Sequence, residues 1–158
     1  MSFDLDQGYI DSGENKQISA KFIKDPVYRR YKNLRSFPNG TRNCYTLSPD
    51  KGKNNTYLIR ASFWYGDYDE QNQPPIFDLY IDVNFWATVD TSDWVNEDIV
   101  YVPQRDDIEV CLVNIGKGVP FISVLVLRTL DNSIYQTQSG FLRLNVRYDI
   151  GGLSRIIR

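Results

Sequence analysis

The chain contains no histidine. That absence removes the commonest general base, the Ser-His-Asp and Cys-His arrangements, and every His-ligated metal. Cysteine is scarce too, and Cys44 and Cys111 are too few for a disulfide scaffold or a zinc site. They either form one bridge or stay as separate buried small hydrophobes. With no histidine to activate a thiol, neither is expected to be catalytic. No apolar run approaches the roughly 20 residues of a membrane span. MSFDLDQGYI lacks the basic and apolar regions of a signal peptide. A basic stripe is also missing. The 18 Lys and Arg are scattered among 20 Asp and Glu, for a net charge of −2, which argues against a nucleic-acid partner. Gly116-Lys117-Gly118 fits neither phosphate-loop spacing and reads as a hairpin turn. No window of ten residues carries a 3.6-residue apolar stripe, so little helix is expected.

What the chain does have is aromatic and β-branched residues in period two, with 14% of its 158 residues aromatic. In Tyr57–Tyr65, the side chains of Tyr57, Ile59, Ala61 and Phe63 share one face. In Ile76–Val89, Phe77, Leu79, Ile81 and Val83 do the same. The two runs read as a strand pair joined by the polar loop GDYDEQNQPP. Further strands are expected at 44–47, 99–102, 108–113, 121–130 and within FLRLNV. Phe22 and Ile23 could begin or end another. Short strands with turn signals between them predict an all-β fold, an antiparallel β-sandwich or jelly roll. Phe63, Phe77 and Phe121 are expected in its core.

Carboxylates gather in two groups: Asp67, Asp69, Glu70 and Asp78, then Asp106, Asp107 and Glu109. A glycoside hydrolase needs two at a fixed separation, which sequence cannot set here, so that reading ranks last. No EF-hand spacing appears. A basic cluster, Arg29, Arg30, Lys32, Arg35 and Arg42, is either an anion patch or a solvated loop and strand edge. Asn39-Gly40-Thr41 and Asn54-Asn55-Thr56 are glycosylation sequons in turn-like sequence. The polar loop is bounded by rings. Flat rings stack on sugars while carboxylates and hydroxyls bond the sugar hydroxyls. A sugar site is therefore expected at Tyr65, Asp67, Tyr68 and Asp69, with Trp86 as a neighbour. A peptide or protein interface is the alternative, favoured if those rings prove buried and the sandwich presents a flat polar face.

RSFPNGTRNCYTL (35–47), the stretch 57–89, IEVCLVNIGKGVPFISVLVLRTL (108–130) and RYDIGG (147–152) together resemble the malectin-like domain of plant receptor-like kinases, particularly the leucine-rich-repeat ones. The resemblance covers nearly the whole chain. It implies a β-sandwich and an extracellular or cell-surface recognition module. Its implied ligand is cell-wall carbohydrate or a signalling peptide, with another receptor ectodomain as a further partner. It implies no catalysis, cofactor or metal. The family opens on an apolar strand with a Cys-Gly pair, and this sequence begins after it. Residues 1–158 are thus expected to be one domain lacking its first strand, with 151–158 as a connector. Asp82 stands where the family often has glycine.

Overall fold

A computed structural model describes residues 6–23, 31–133 and 140–144. RYDIGG, the 151–158 connector, Arg29 and Arg30 lie outside these residues. The strands are β1 (Glu14–Gln17), β2 (Asn33–Ser36), β3 (Arg42–Leu47), β4 (Tyr57–Phe63), β5 (Ile76–Ile81), β6 (Asn84–Asp90), β7 (Val95–Tyr101), β8 (Ile108–Lys117), β9 (Phe121–Ile122), β10 (Val124–Thr129) and β11 (Phe141–Leu144). All the pairings are antiparallel. One four-stranded sheet runs β10-β4-β7-β11, a second runs β3-β8-β5-β6, and a smaller sheet runs β1-β2-β9. The expected sandwich is present, with this third sheet added to it.

The alternation read from sequence sets the faces. Tyr57, Ile59, Ala61 and Phe63 of β4 are fully buried, and so are Phe77, Leu79 and Ile81 of β5. Phe63, Phe77 and Phe121 meet edge to face, with ring centroids 5.5 to 6.2 Å apart. Each belongs to a different sheet, so one aromatic triad joins all three. Such pairs add about 0.5–1.5 kcal/mol each beyond the area they bury.

Several expectations need correction. The stretch 57–89 is not a strand pair. β4 and β5 lie in different sheets, and residues 64–75 carry the chain from one to the other. Ile76–Val89 is two strands, β5 and β6, because the chain turns at Asp82-Val83. Asp82 has φ +50°, and Val83 is 87% exposed although it continues the alternation. Residues 121–130 divide at Ser123, with β9 in the small sheet and β10 in a large one. Gly116 and Lys117 likewise end β8 instead of forming a hairpin turn, and the bend at Gly118 leads to β9 in another sheet. Gly118 is required there, because at φ +100° an added Cβ would stand 2.6 Å from the Pro75 side chain. β1 carries four exposed polar residues and gave no apolar signal.

Cys44 and Cys111 face each other across β3 and β8 and form a disulfide, with Cα atoms 4.0 Å apart. The bridge closes a separation of 67 residues, which restricts the unfolded chain by roughly 4 kcal/mol in the chain-entropy account.

Candidate functional site

The crossover 64–75 draws together four of the five residues picked from sequence, but it arranges them as a network facing inward. Tyr65 is 6% exposed, Asp67 is buried, and Tyr68 and Asp69 are half-buried. The Tyr65 ring packs on Tyr68 at 5.6 Å and on Phe121 at 6.3 Å, and Tyr68 packs on Phe121 at 5.4 Å. The loop is therefore anchored on the aromatic triad.

Its polar groups close on one another. The Tyr65 hydroxyl donates to Asp69 and accepts the Gln73 amide at 3.2 Å. Asp67 accepts the Lys21 ammonium and, at 2.8 Å, the Asn72 amide. The Asp69 carboxylate also accepts the Gln71 amide at 3.2 Å. The hydrogen bond from Lys21, reinforced by the Asn72 amide, holds Asp67 below its ordinary carboxylate range. Burial and then the Asp69 contact push the Tyr65 phenol up, so it stays a donor. Burial does the same to Tyr68. Chemically, the loop holds one charged carboxylate against a lysine and keeps its phenols protonated.

Asp67, Glu70 and Asn72 all have φ between +50° and +59°. Left-handed backbone is uncommon outside glycine, although Asp and Asn tolerate it best. Of these side chains, that of Asp67 also bonds the loop backbone, at the Asn72 amide. Gly66 opens the loop, and a Cβ there would stand 2.5 Å from the Ile18 side chain.

Trp86 does not join this group. It sits at the irregularity where β6 shifts register against β5, so it and Ala87 both turn inward. Trp86 is 3% exposed, and its indole N–H has no partner among the described residues. Tyr65 and Trp86, which sequence leaves open between core and surface, are thus both buried. In the second acidic group, Asp106 accepts the Lys53 amide at 3.1 Å. Asp78 accepts the Thr88 hydroxyl at 2.6 Å on an outer sheet face. Two described members of the basic cluster, Arg35 and Arg42, are engaged within the fold. Arg35 forks onto Asp6 at 2.6 and 2.8 Å. Arg42 lies over the Tyr80 ring and donates to the Asp82 carbonyl at 2.6 Å.

The surface beside the loop comes from residues that sequence reasoning read as a strand end. Ala20–Phe22 is a single 3₁₀ turn. It is tied to the loop by the Ser19 amide, which donates to the Gly66 carbonyl at 2.8 Å, and by Lys21 on Asp67. This turn presents Phe22 and Ile23, 37% and 38% exposed. Phe22 stands edge-on to the half-buried Trp64, with centroids 6.2 Å apart. Lys21 also lies 5.2 Å from the Phe22 ring. No local pattern carries this signal, because Lys21 and Asp67 are 46 residues apart.

Known proteins share this sequence and fold. The probable LRR receptor-like serine/threonine-protein kinase PAM74 of Arabidopsis thaliana is 45% identical over 150 residues, covering 93% of this chain and 16% of the relative. MEE39, from the same plant and with the same description, is 37% identical over 161 residues, covering 100% and 18%. The chain thus spans under a fifth of the length of these curated relatives. Among solved structures, the plant receptor-like kinase FER aligns with a TM-score of 0.68 at 11% identity, over 85% of this chain and 38% of that one. A chain from the complex of plant peptide RALF23 with FER and LLG2 aligns with a TM-score of 0.65 at 18% identity, over 81% and 42%. These two likenesses establish a shared fold. The malectin-like domain model matches residues 1–158, and the chain belongs to the malectin-like domain family.

Proposed function

We propose that this chain is a non-catalytic, extracellular recognition domain of receptor-kinase type whose ligand is a polypeptide. The partner docks on the ridge of Lys21, Phe22, Ile23 and Trp64. The observation that carries the reading is the division of the aromatics around the crossover. Tyr65 and Trp86 lend their rings to the core, which leaves neither a free face for a sugar. Phe22 keeps its ring, and Ile23 its aliphatic side chain, partly exposed on a turn tied to the locked loop. Exposed aromatic and aliphatic anchors on a rigid support are what protein interfaces use, because little side-chain freedom remains to be lost on binding.

Two further observations support it. The solved neighbour with peptide RALF23 and LLG2 is a receptor fold seen with a peptide and a partner protein. The Cys44–Cys111 bridge is of the kind that persists in oxidising compartments, which fits an extracellular chain. Any kinase activity named for the relatives belongs to lengths this chain does not match. The carbohydrate reading keeps only Tyr68 and Asp69 at partial exposure.

Calorimetric titration separates the two readings. The probes are RALF23 with and without LLG2, and a panel of cell-wall oligosaccharides. Polypeptide binding should weaken at least tenfold in Phe22→Ala, about 1.4 kcal/mol, with the melting temperature unchanged. An oligosaccharide that binds the wild type and loses affinity in Tyr68→Ala, with no response to polypeptide, would overturn the proposal.

A further inference from the structure

We infer that Asn39 is an N-glycosylation site and that Asn54 stays bare, although each begins an Asn-X-Thr sequon. The inference rests on the extracellular reading above, since only a chain that enters the secretory route meets the sugar donor.

The two sequons sit in the fold differently. Asn39, Gly40 and Thr41 form the turn between β2 and β3, and all three are exposed. The turn is held through its main chain: the Asn43 side chain donates to the Asn39 carbonyl at 3.1 Å, and the Asn114 amide donates to the Thr41 carbonyl at 2.8 Å. The Asn39 carboxamide and the Thr41 hydroxyl make no hydrogen bond to another described residue. Gly40 has φ +79°, so the turn is built around the middle residue and both recognition side chains are left free.

Asn54 is also exposed, but its sequon is pinned where three loops meet. The Asn54 amide donates to the Pro103 carbonyl at 3.0 Å. The Asn55 side chain donates to the Lys51 and Lys53 carbonyls at 2.8 and 3.1 Å. Thr56 is 4% exposed, and its amide donates to the Asn132 side chain at 2.9 Å. The hydroxyl that must be read along with the asparagine is inside the fold.

In the transfer, the Asn39 carboxamide nitrogen attacks the anomeric carbon of a lipid-pyrophosphate-linked oligosaccharide. The nitrogen–carbon bond forms as the carbon–oxygen bond to pyrophosphate breaks. One amide proton is lost, and the lipid pyrophosphate leaves. Nothing is oxidised or reduced.

The test expresses the full chain behind a cleavable secretory leader in mammalian cells. Entry is then imposed, and an error in the extracellular reading cannot produce a negative result. Glycan release by peptide-N-glycosidase in heavy-oxygen water labels each modified asparagine for peptide mapping. The expected result is one glycan, with label at Asn39 and none at Asn54. The mobility shift should be lost in Asn39→Gln and Thr41→Ala and kept in Thr41→Ser and Asn54→Gln. If Asn39→Gln is not secreted, the Thr41 pair reads the same site. An unlabelled Asn39, an equally labelled Asn54, or a shift that survives Thr41→Ala overturns the inference.

Discussion

Asp67 and Asp82 share a left-handed φ of +50°, and each accepts a backbone amide and a cationic side chain. Asp67 takes the Asn72 amide and Lys21, with the Tyr65 hydroxyl 3.4 Å away. Asp82 takes the Glu109 amide at 2.8 Å, the Tyr101 hydroxyl at 2.5 Å and Arg105 at 3.4 Å. What differs is what each clasp closes. Asp82 ties a two-residue turn to β8 of its own sheet and to β7 of the facing one. The strands it touches, β7 and β8, are already paired, so the clasp ties a turn that carries the 87% exposed Val83 to strands already held in their sheets. Asp67 ties a long crossover to a turn 46 residues earlier. The clasp fixes a loop that no strand pairing holds, and it sets Phe22 and Ile23 beside it. The same chemistry is thus a staple in one place and a mount in the other.

The largest break in this comparison is Tyr65→Ala. The ring is core, so its loss should cost about 3–5 kcal/mol in urea unfolding. Tyr65→Phe keeps the ring and removes only the hydroxyl shared by Asp69 and Gln73, and should cost about 1–3 kcal/mol. If Tyr65→Ala unfolds at the wild-type midpoint, the ring is not part of the core.

Next in size is Asp82→Ala, which loses on two counts. Left-handed backbone costs an alanine about 1–2 kcal/mol, and the Tyr101 hydroxyl and Glu109 amide lose their acceptor, about 1–3 kcal/mol more. Asp82→Gly restores the first count and not the second, so its melting temperature should fall between those of wild type and Asp82→Ala. Equal melting of the two variants would show that the backbone carries none of the effect.

The smallest effect is one of pH. The pKa of folded Asp67 is lowered from 3.8, so its stabilisation is present above that value and is lost as pH falls below it. Melting curves of wild type and Asp67→Asn should differ near neutrality and converge below about pH 4. A gap that stays constant down to pH 2 would exclude the charge as its cause.

These residues also mark how far sequence reading reaches. Period two assigned the buried faces of β4 and β5 because burial is a property of each strand alone. It could not tell which strands are neighbours, since β4 and β5 alternate as correctly in two sheets as in one. Val83 continued the pattern into a turn, because alternation does not register a left-handed residue before it. Whether Cys44 and Cys111 pair depended on the register of β3 against β8, which no local signal gives. At the candidate site, sequence found Tyr65, Asp67, Tyr68 and Asp69 together but not the direction they face. It read Phe22 and Ile23 as a strand end, because the mount that exposes them is a long-range contact.

Amide hydrogen exchange tests the mount most directly. In the free protein, the Asn72 and Gln73 amides should already be protected by Asp67 and Tyr65, and adding RALF23 with LLG2 should leave them unchanged while slowing exchange in residues 20–23. Unprotected Asn72 and Gln73 amides that become slow only on adding an oligosaccharide would contradict the account, because the crossover would then be ordered by sugar and not by its own clasp.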